Sequence, residues 1–548
     1  MCDIKMRDTN MRATKMRDTK ALIALLLRGT ATVVASVLAI TAQAAAPGIT
    51  GTAFDLTAAP GLISQPDGQS IYSWGYGCNT APSGFAPATV AGAKCTPGQM
   101  QLPGPTLIVN QGDTVTVTLH NNLPAAAGNT SILFPGFSVA ASGGAAGVLT
   151  QEATHALTVT YTFIANKPGT HSYYSGTQGD LQVEMGLYGA LIVLPTSGNT
   201  VPTGYSTPPG LPATCHAAGS GTLPNGAPDY RLAAAAYNNP AACYDREYLF
   251  QFSEMDPRIH RQAEEQAALA CTQPIGCMVI ATEPYHPAYF LINGRSMPDD
   301  MDPNYASQYP LQPYNGNPHM HPGELTLLRV IGQGRAQHPF HEHGNHVRLL
   351  ARDGNLILSQ TANSTSLAGP LLFTTTTTPG MALDGIFQWT GKGLNWDVYG
   401  HVRGGDATNT ATCIPDANGY YTTGSGAPAT APNYFEWCAD HQSPLESKPF
   451  GNVGSGGPVT LPDPNIVANG AWYGGSPYLG PDAMGRAVGS TPIPPSGTVA
   501  NSPTDEAGFA FMWHSHNERE ITTNNIFPGG MMMMMLVDPW VYTINEAN

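Results

Sequence analysis

The fold is decided by residues 104–122, which read GPTLIVNQGDTVTVTLHNN. After a Gln-Gly-Asp turn, apolar residues alternate with polar ones through Val115, Val117 and Leu119. Because successive side chains of a β-strand point to opposite faces, this alternation predicts a strand with one buried face. We therefore interpret the stretch as a strand pair in a β-rich protein.

The rest of the chain favours the same class. Residues 156–163 alternate, residues 187–194 form an apolar β-rich run, and residues 247–254 begin another β segment. The 548 residues include 61 Gly and 48 Pro, and only 11% are charged. This composition favours a turn-rich all-β protein over a mainly helical one.

Two histidine clusters lie far apart in the sequence. They read HPFHEH at residues 338–343 and WHSH at residues 513–516, and each has two histidines at i and i+2. On a strand this spacing points both imidazoles to the same face, which is a metal-ligand arrangement suited to copper, zinc, iron or nickel. His319, His321 and His346 lie near the first cluster in the sequence. The alternative is a surface strand in which the histidines bind nothing.

These stretches also carry a family resemblance. HPFHEHG (residues 338–344) and WHSHNERE (residues 513–520) resemble the third and fourth copper motifs of the multicopper oxidases. PGPTLIVNQGDTVTVTLHN (residues 103–121) and GLYGALIVLP (residues 186–195) resemble the first cupredoxin domain of that family. The resemblance implies an all-β fold of tandem cupredoxin-like Greek-key β-sandwich or barrel domains, with a long loop-rich insertion.

The resemblance implies a role for each clustered histidine. His338 matches a type 1 copper ligand and His341 a type 2 ligand, while three positions match type 3 ligands, namely His343, His514 and His516. Two type 1 ligands of the family are replaced. Ser515 stands where the family has cysteine, and Glu520 stands where it has the last type 1 histidine. A hydroxyl does not replace a soft thiolate, so the usual path of electron entry is lost.

The first domain departs from the family pattern as well. Leu133-Phe134-Pro135-Gly136 stands in place of the first histidine motif, and Tyr174 and Gly176 occupy the ligand positions of the second. His171 lies near them but out of register. The resemblance thus implies fewer than four copper ions and a reaction different from the four-copper laccase mechanism.

A reduced site remains as the main candidate. His341, His343, His514 and His516 are expected to hold one ion, with Glu342, Glu518 or Glu520 as orienting partners. Copper is favoured by the affinity order, and zinc suits the same donors. The alternative is a relic whose histidines only form hydrogen bonds. The run Met531–Met535 suggests a copper(I) site, but packing in a buried final strand is the preferred interpretation.

Five segments are predicted. Residues 1–44 are a signal peptide, residues 50–197 a cupredoxin-like domain without its ligands, residues 198–244 a linker, and residues 245–548 a second cupredoxin-like domain with an insertion at 402–510. A small third domain is the alternative to the insertion, and a retained membrane anchor is the alternative to signal cleavage.

Export follows from the basic residues and the apolar run that precede Ala42-Gln43-Ala44. We expect a secreted or periplasmic protein with no stable membrane insertion after cleavage. Cleavage removes seven basic and three acidic residues, which takes the formal net charge from −15 to −19 and argues against nucleic-acid binding. The eight remaining cysteines predict disulfides, most simply Cys78–Cys95, Cys215–Cys243, Cys271–Cys277 and Cys413–Cys438.

The predicted function is an exported, multicopper-oxidase-like metal-binding protein. If it is an enzyme, it is a copper-dependent oxidoreductase that acts on a small molecule or a metal ion. The alternative is a non-catalytic extracellular binding or structural protein on a cupredoxin scaffold. No catalytic residue is assigned, and the sequence leaves the oligomeric state open.

Overall fold

The protein is described by a computed structural model. It describes residues 46–87, 95–196, 229, 231–361, 366–392, 401–405, 412–429, 431–439, 441, 475–478, 508–540, 542 and 544. The predicted signal peptide, residues 1–44, lies outside the described residues. Within these ranges no helix has the length and apolar character needed to cross a membrane.

The first half of the chain forms two five-stranded sheets. Sheet A has the order β11-β12-β5-β1-β4, and sheet B has the order β3-β2-β6-β10-β7. The short strands β8 and β9 pair with each other. The bounds are β1 (Gly48–Thr50), β2 (Ala53–Ser64), β3 (Ser70–Cys78), β4 (Gly84–Ala86), β5 (Leu107–Asn110), β6 (Thr114–Asn121), β7 (Ala140–Gly143), β8 (Ala145–Ala146), β9 (Gln151–Glu152), β10 (Thr158–Ile164), β11 (Gly169–Tyr174) and β12 (Tyr188–Leu194).

The second half forms two larger sheets. Sheet C has the order β14-β13-β16-β22-β18-β19 with β20 on β18, sheet D has the order β15-β27-β26-β17-β21 with β25 on β26, and β23 pairs with β24. The bounds are β13 (Arg246–Met255), β14 (Tyr289–Ile292), β15 (His319–Met320), β16 (Leu325–Gly332), β17 (His338–Glu342), β18 (Val347–Arg352), β19 (Asn355–Leu356), β20 (Leu371–Leu372), β21 (Thr374–Thr377), β22 (Ala382–Gln388), β23 (Val402–Arg403), β24 (Thr412–Cys413), β25 (Gly475–Tyr478), β26 (Gly508–Ser515) and β27 (Met532–Val537).

Helices are few in the described ranges. Helix α1 spans Gly179–Gln182 and helix α2 spans Pro257–Gln266. Four single 3₁₀ turns lie at Ala125–Ala127, Asp299–Met301, Thr423–Ser425 and Glu518–Ile521. Helix α2 begins where Asp256 accepts a hydrogen bond from the backbone N–H of Arg258 at 3.0 Å, which satisfies one of the free donors of the first turn. The predicted all-β class is confirmed.

The prediction that residues 104–122 form a strand pair is wrong, because β5 and β6 do not pair with each other. Strand β5 pairs with β1 and β12 in sheet A, whereas β6 pairs with β2 and β10 in sheet B. The turn between them carries the chain from one sheet to the other. Gly112 takes φ +93° there, and the Asp113 carboxylate accepts from the Asn110 backbone N–H at 2.8 Å. The predicted buried face is present, since Val115, Val117 and Leu119 are fully buried.

The four sheets pack as layers in the order B, A, C, D. Sheets A and B share one core, and sheets C and D share another in which Trp513 contacts Phe250, Phe340 and Phe387. A third apolar cluster joins the other faces of sheets A and C, with Ile192 among its members. Strand β12 is therefore buried on both faces, which explains its uninterrupted apolar sequence. The outer face of sheet D lies at the opposite side from the first half of the chain.

The remaining domain predictions stay predictions. Sheets A and B use residues 48–194, and sheets C and D use residues 246–537. Most of the predicted linker and much of the insertion at 402–510 lie outside the described residues. Of the described parts of that insertion, residues 475–478 pair with β26.

Three of the four predicted disulfides are confirmed. Cys78 pairs with Cys95, Cys271 with Cys277, and Cys413 with Cys438. Cys243 is also disulfide-bonded, and its predicted partner Cys215 lies outside the described residues. No described cysteine is therefore free to serve as a metal ligand.

A buried ion pair within sheet C is linked to sheet A by a hydrogen bond from Arg329 to Thr170, and its loss is expected to be costly. The Arg329 guanidinium donates to Glu247 at 2.6 Å and to Thr170 of β11 at 3.0 Å, and it lies 3.6 Å from Asp384. Arg329→Met leaves two buried carboxylates without their cation, so we expect the free energy of unfolding in urea to fall by about 3–5 kcal/mol. The exposed Arg352→Met is the control, with a change within about 0.5 kcal/mol. Equal stability of the two variants would contradict the role of Arg329 as the buried cation that Glu247 and Asp384 require.

Candidate metal centre

The centre is built on two neighbouring strands of sheet D. Strands β17 and β26 are antiparallel, and His341 lies directly opposite His514. On both strands alternate side chains enter the core, as Phe340 and Trp513 do. The pleat therefore turns His341, His343 and His514 to the outer face of the sheet.

These three imidazoles converge on one point. One ring nitrogen from each of His341, His343 and His514 lies within 4.8 Å of the others. The Nε2 atoms of His343 and His514 are 3.2 Å apart. Two nitrogens bound to one tetrahedral ion at about 2.0–2.1 Å are separated by about 3.3 Å, so the geometry fits a shared ion.

Hydrogen bonds hold two of the rings in the orientation a ligand needs. His514 Nδ1 donates to the backbone oxygen of Ser515 at 2.7 Å, so its Nε2 keeps the lone pair. His341 Nδ1 lies 3.0 Å from the Thr374 hydroxyl on β21. Each contact occupies Nδ1, which is the usual support of a metal-binding histidine, and the Nε2 of His514 faces that of His343.

The electrostatics keep the rings of His341 and His514 neutral. Burial lowers the pKa of His341 to about 4, and the nearby His514 and His516 contribute to this lowering by charge repulsion. Burial also lowers the pKa of His514, against the opposing hydrogen bond to Ser515. Only a neutral imidazole has a lone pair to donate, so His341 and His514 are in their metal-binding form at neutral pH.

His516 stands at the solvent-facing rim of the cluster. Its side chain is exposed, and its ring centroid is 4.9 Å from that of His341 and 5.6 Å from that of His514. Phe373 lies on another side, 5.9 Å from His341 and 5.3 Å from His346. Three predicted ligands thus form the cluster itself, and His516 is placed to supply a fourth nitrogen from the open side.

His338 lies apart from this cluster, on the core face of β17. Its Nε2 is 2.9 Å from a Glu254 oxygen and its Nδ1 is 3.0 Å from a Glu520 oxygen. Burial would lower the pKa of His338, but the two carboxylates outweigh it and raise the pKa to about 9. With a carboxylate on each nitrogen, His338 is placed as a buried cation, and its predicted role as a metal ligand stays a prediction.

The positions that resemble a type 1 copper site do meet in space. Ser515 lies opposite Phe340 in the strand register, and its hydroxyl donates to Glu520, which also accepts from Asn517 at 2.8 Å. The donor set is thus a hydroxyl, two carboxylates and a protonated imidazole. It does not fit a type 1 copper ion, which requires a thiolate and neutral imidazoles.

The hydrogen-bonded network extends beyond the residues that the sequence singles out. Tyr285 donates to Glu184 at 2.7 Å and lies 3.2 Å from Glu254. Burial raises the pKa of Glu184 to about 8, in spite of the hydrogen bonds from the Asp256 backbone and Tyr285. Glu254 ends the predicted β segment of residues 247–254. A glutamate inside a predicted strand was the one sequence signal that could have pointed to this network.

Two of the predicted orienting carboxylates, Glu342 and Glu520, lie on the core side of sheet D and not beside the imidazole cluster. Glu342 accepts a hydrogen bond from Thr375, and burial raises its pKa to about 8. The third, Glu518, is exposed, and its charge slightly favours the protonated form of His514. Of the other histidines, His319 and His321 are elsewhere, since their rings lie 2.6 Å from Asp538 and 2.9 Å from Glu324 respectively.

Three residues of the first half that stand at copper-ligand positions of the family, Leu133, Tyr174 and Gly176, line a separate cavity. Leu133 pairs with Tyr174 in a β-bridge, and both border a cavity of about 420 Å³ together with Gly176, Arg335 and Gly380. His171 is buried and lies 3.0 Å from the backbone oxygen of Lys167. No histidine lines this cavity among the described residues.

Comparisons with known proteins match part of the chain, outside the histidine clusters in the case of the family model. Residues 87–198 match the family model described as multicopper oxidase. An L-ascorbate oxidase from Brassica rapa subsp. pekinensis is 40% identical over 108 residues, which cover 19% of this chain and 18% of that protein. The match therefore spans less than a fifth of this relative's length.

Two solved structures are similar over a longer range. The multicopper oxidase mgLAC matches with a TM-score of 0.41 and 14% identity over 89% of this chain and 85% of its own. The blue copper oxidase from Nitrosomonas europaea matches with a TM-score of 0.41 and 14% identity over 88% and 85%.

The raised pKa of His338 predicts how stability depends on pH. In the unfolded chain the imidazole pKa is about 6.5, so the folded state holds the extra proton between pH 6.5 and about 9. This stabilisation is complete below pH 6.5 and is lost as the pH rises through 9. Glu520→Gln removes one carboxylate, so the melting temperature should begin to fall at a lower pH than in the native protein.

The exposed Glu518→Gln serves as the control, with an unchanged profile expected. Glu184 and Glu342 also lose their protons as the pH rises towards 8, and taking the difference between variant and native protein removes their common contribution. Superimposable profiles for Glu520→Gln and the native protein would refute the imidazolium assignment.

Proposed function

We propose, from the premise that residues 87–198 form a multicopper oxidase domain, that this protein binds one copper ion through His341, His343 and His514, with His516 as a fourth ligand. The convergence of three ring nitrogens within 4.8 Å carries the proposal. Their donor set fits the metal, because neutral imidazoles oriented through Nδ1 are standard ligands of copper(II) and zinc. Copper is preferred by the affinity order, and zinc suits the same nitrogens.

The proposed activity is oxidoreduction of a small molecule or a metal ion at this site. Copper, when bound, supplies a one-electron couple. The chain's own residues hold the ion on the outer face of sheet D. The exposed His516 marks the side of the cluster that faces solvent. Because Ser515, Glu520 and His338 form a hydrogen-bonded network instead of a second copper site, the reductant has to reach the ion directly.

The second candidate is a non-catalytic binding protein on the same scaffold. The same network favours it, since electron entry by the route of the family is lost while the histidine cluster is kept. Both candidates bind metal, and they differ in turnover. An oxidase assay of the copper-loaded protein with small phenolic, diamine and ferrous substrates separates them, because a binding protein gives no turnover above free copper.

We further propose that the protein is exported and that the mature chain does not stay in the membrane. The basic segment followed by an apolar run and Ala42-Gln43-Ala44 supports this. We propose a small molecule or a metal ion as the substrate, and the acidic mature chain disfavours nucleic acid as a partner.

The metal stoichiometry provides the main test. The native protein should retain about one copper ion after dialysis, because the pleat brings together three imidazoles and one rim histidine. The double variant His343→Ala with His514→Ala should lose at least about 100-fold in copper affinity, measured by competition with a chelator. The exposed His286→Gln is the control, and it should retain the ion because it changes a histidine outside the cluster. Three or four tightly held ions in the native protein would contradict a mononuclear site.

The absorption spectrum gives an independent prediction. An intense blue band requires a cysteine thiolate on copper(II), and Ser515 supplies none, so the copper-loaded protein should show only weak absorption. The variant Ser515→Cys with Glu520→His restores two donors beside His338 and is the positive control. An intense blue band in the native protein would exclude the role assigned to Ser515.

Export is tested by the N-terminus of the mature protein. Expressed in a bacterium with a periplasm, the chain should be recovered there with its N-terminus near Ala45, as measured by mass spectrometry of the intact protein. Ala42→Asp places a charge in the cleavage motif and should block processing, whereas Ala35→Ser, which lies further from the motif and adds no charge, should not. An unprocessed native chain in the cytoplasm would contradict export.

A further inference from the structure

The methionine run Met531–Met535 divides between two environments. Met531, Met533 and Met535 are fully buried in the core shared by sheets C and D. Met532 and Met534 lie on β27 between them, so their side chains point to the outer face of sheet D. Packing therefore accounts for three of the five methionines and leaves two unexplained.

The strand register adds a third methionine to the outer face. Met534 lies directly opposite Met512 of β26, and Met532 lies directly opposite His514. Directly opposed residues have Cβ atoms about 4.5–5.5 Å apart, and diagonal neighbours remain within reach of long side chains. The thioethers of Met512, Met532 and Met534 are thus neighbours on the face that carries the imidazole cluster.

The burial of this group suits a binding site. Met532 is 5% exposed, while Met512 and Met534 are partly exposed. The Met301 sulfur lies 3.3 Å from the backbone nitrogen of Met534, but Met301 packs against the core shared by sheets C and D and is not part of this group. Unbranched methionine is not among the residues enriched in strands, and an aliphatic β-branched residue would pack there as well. What methionine adds is a soft, flexible sulfur donor.

We propose that Met512, Met532 and Met534 form a binding site for a soft monovalent cation, copper(I), beside the histidine cluster and distinct from it. Thioethers select copper(I) over harder divalent ions, whereas imidazoles hold copper(II) and zinc. The described cysteines are all in disulfides, so no thiolate competes for the ion in this part of the chain. The site needs no electron transfer and is independent of whether the histidine cluster is catalytic.

Silver(I) is the probe, because it shares the charge and softness of copper(I) and is not oxidised in air. It is titrated into the protein that carries His343→Ala with His514→Ala, so that the imidazole cluster does not contribute. We expect one tight equivalent by calorimetry. The outer-face variant Met512→Leu with Met534→Leu should weaken this binding at least about tenfold, because it removes two of the three soft donors. The matched control Met533→Leu with Met535→Leu changes the same residue type on the core face of the same strand and should bind as before.

A second measurement needs no change to the methionines. Silver(I) should protect Met512 and Met534 from oxidation to the sulfoxide by peroxide, as mapped by mass spectrometry. Unchanged silver affinity in the outer-face variant, an equal loss in the core-face control, or no protection of Met512 and Met534 would each overturn the proposal. Binding of copper(II) by the native histidine cluster should be the same in the outer-face variant, so failure here is distinguishable from failure of the histidine site.

Discussion

The antiparallel pairing of β17 with β26 is the constraint on which the rest of the site depends. Its register sets His341 against His514 and Phe340 against Ser515. Because side chains alternate across a pleat, a shift of one residue would turn the imidazoles into the core and the aromatics into solvent. Packing of Phe340 and its neighbour Trp513 fixes that register, so the same contacts that hold sheets C and D together also hold the metal ligands together.

Much of the fold was predictable because burial patterns are local. The alternation in β6 and the uninterrupted apolar run in β12 reflect one buried face and two buried faces respectively. The pairing of β5 with β12 and not with β6 was not predictable from the turn alone. A short turn of Gln, Gly and Asp permits both a hairpin and a crossing between sheets, and the choice depends on strands far away in the sequence.

The candidate site was predictable to a similar extent. Spacing at i and i+2 was enough to place His341 with His343, and the even separation of Phe340 from His338 shows that His338 belongs to the other face. The carboxylate partner of His338 on β13 could not be predicted, because Glu254 lies in a different sheet and is 84 residues away in the sequence. The same limit applies to the outer methionines, whose grouping appears only once Met512 is set against Met534.

The two faces of β17 differ in the charge of their histidines. The positions that resemble a type 1 copper site therefore differ from that site by more than the loss of the cysteine. Three residues apart on one strand, His338 has a pKa raised to about 9 and His341 a pKa lowered to about 4. The core-face imidazole is held as a cation by carboxylates from β13 and from the turn after β26, and a copper ion there would have to displace its proton. On the outer face, burial keeps the imidazoles of His341 and His514 neutral. On the core face, the residues at the type 1 positions thus form ion pairs among themselves in place of a copper–thiolate bond. On the outer face, the histidines keep the neutral form that binds a metal.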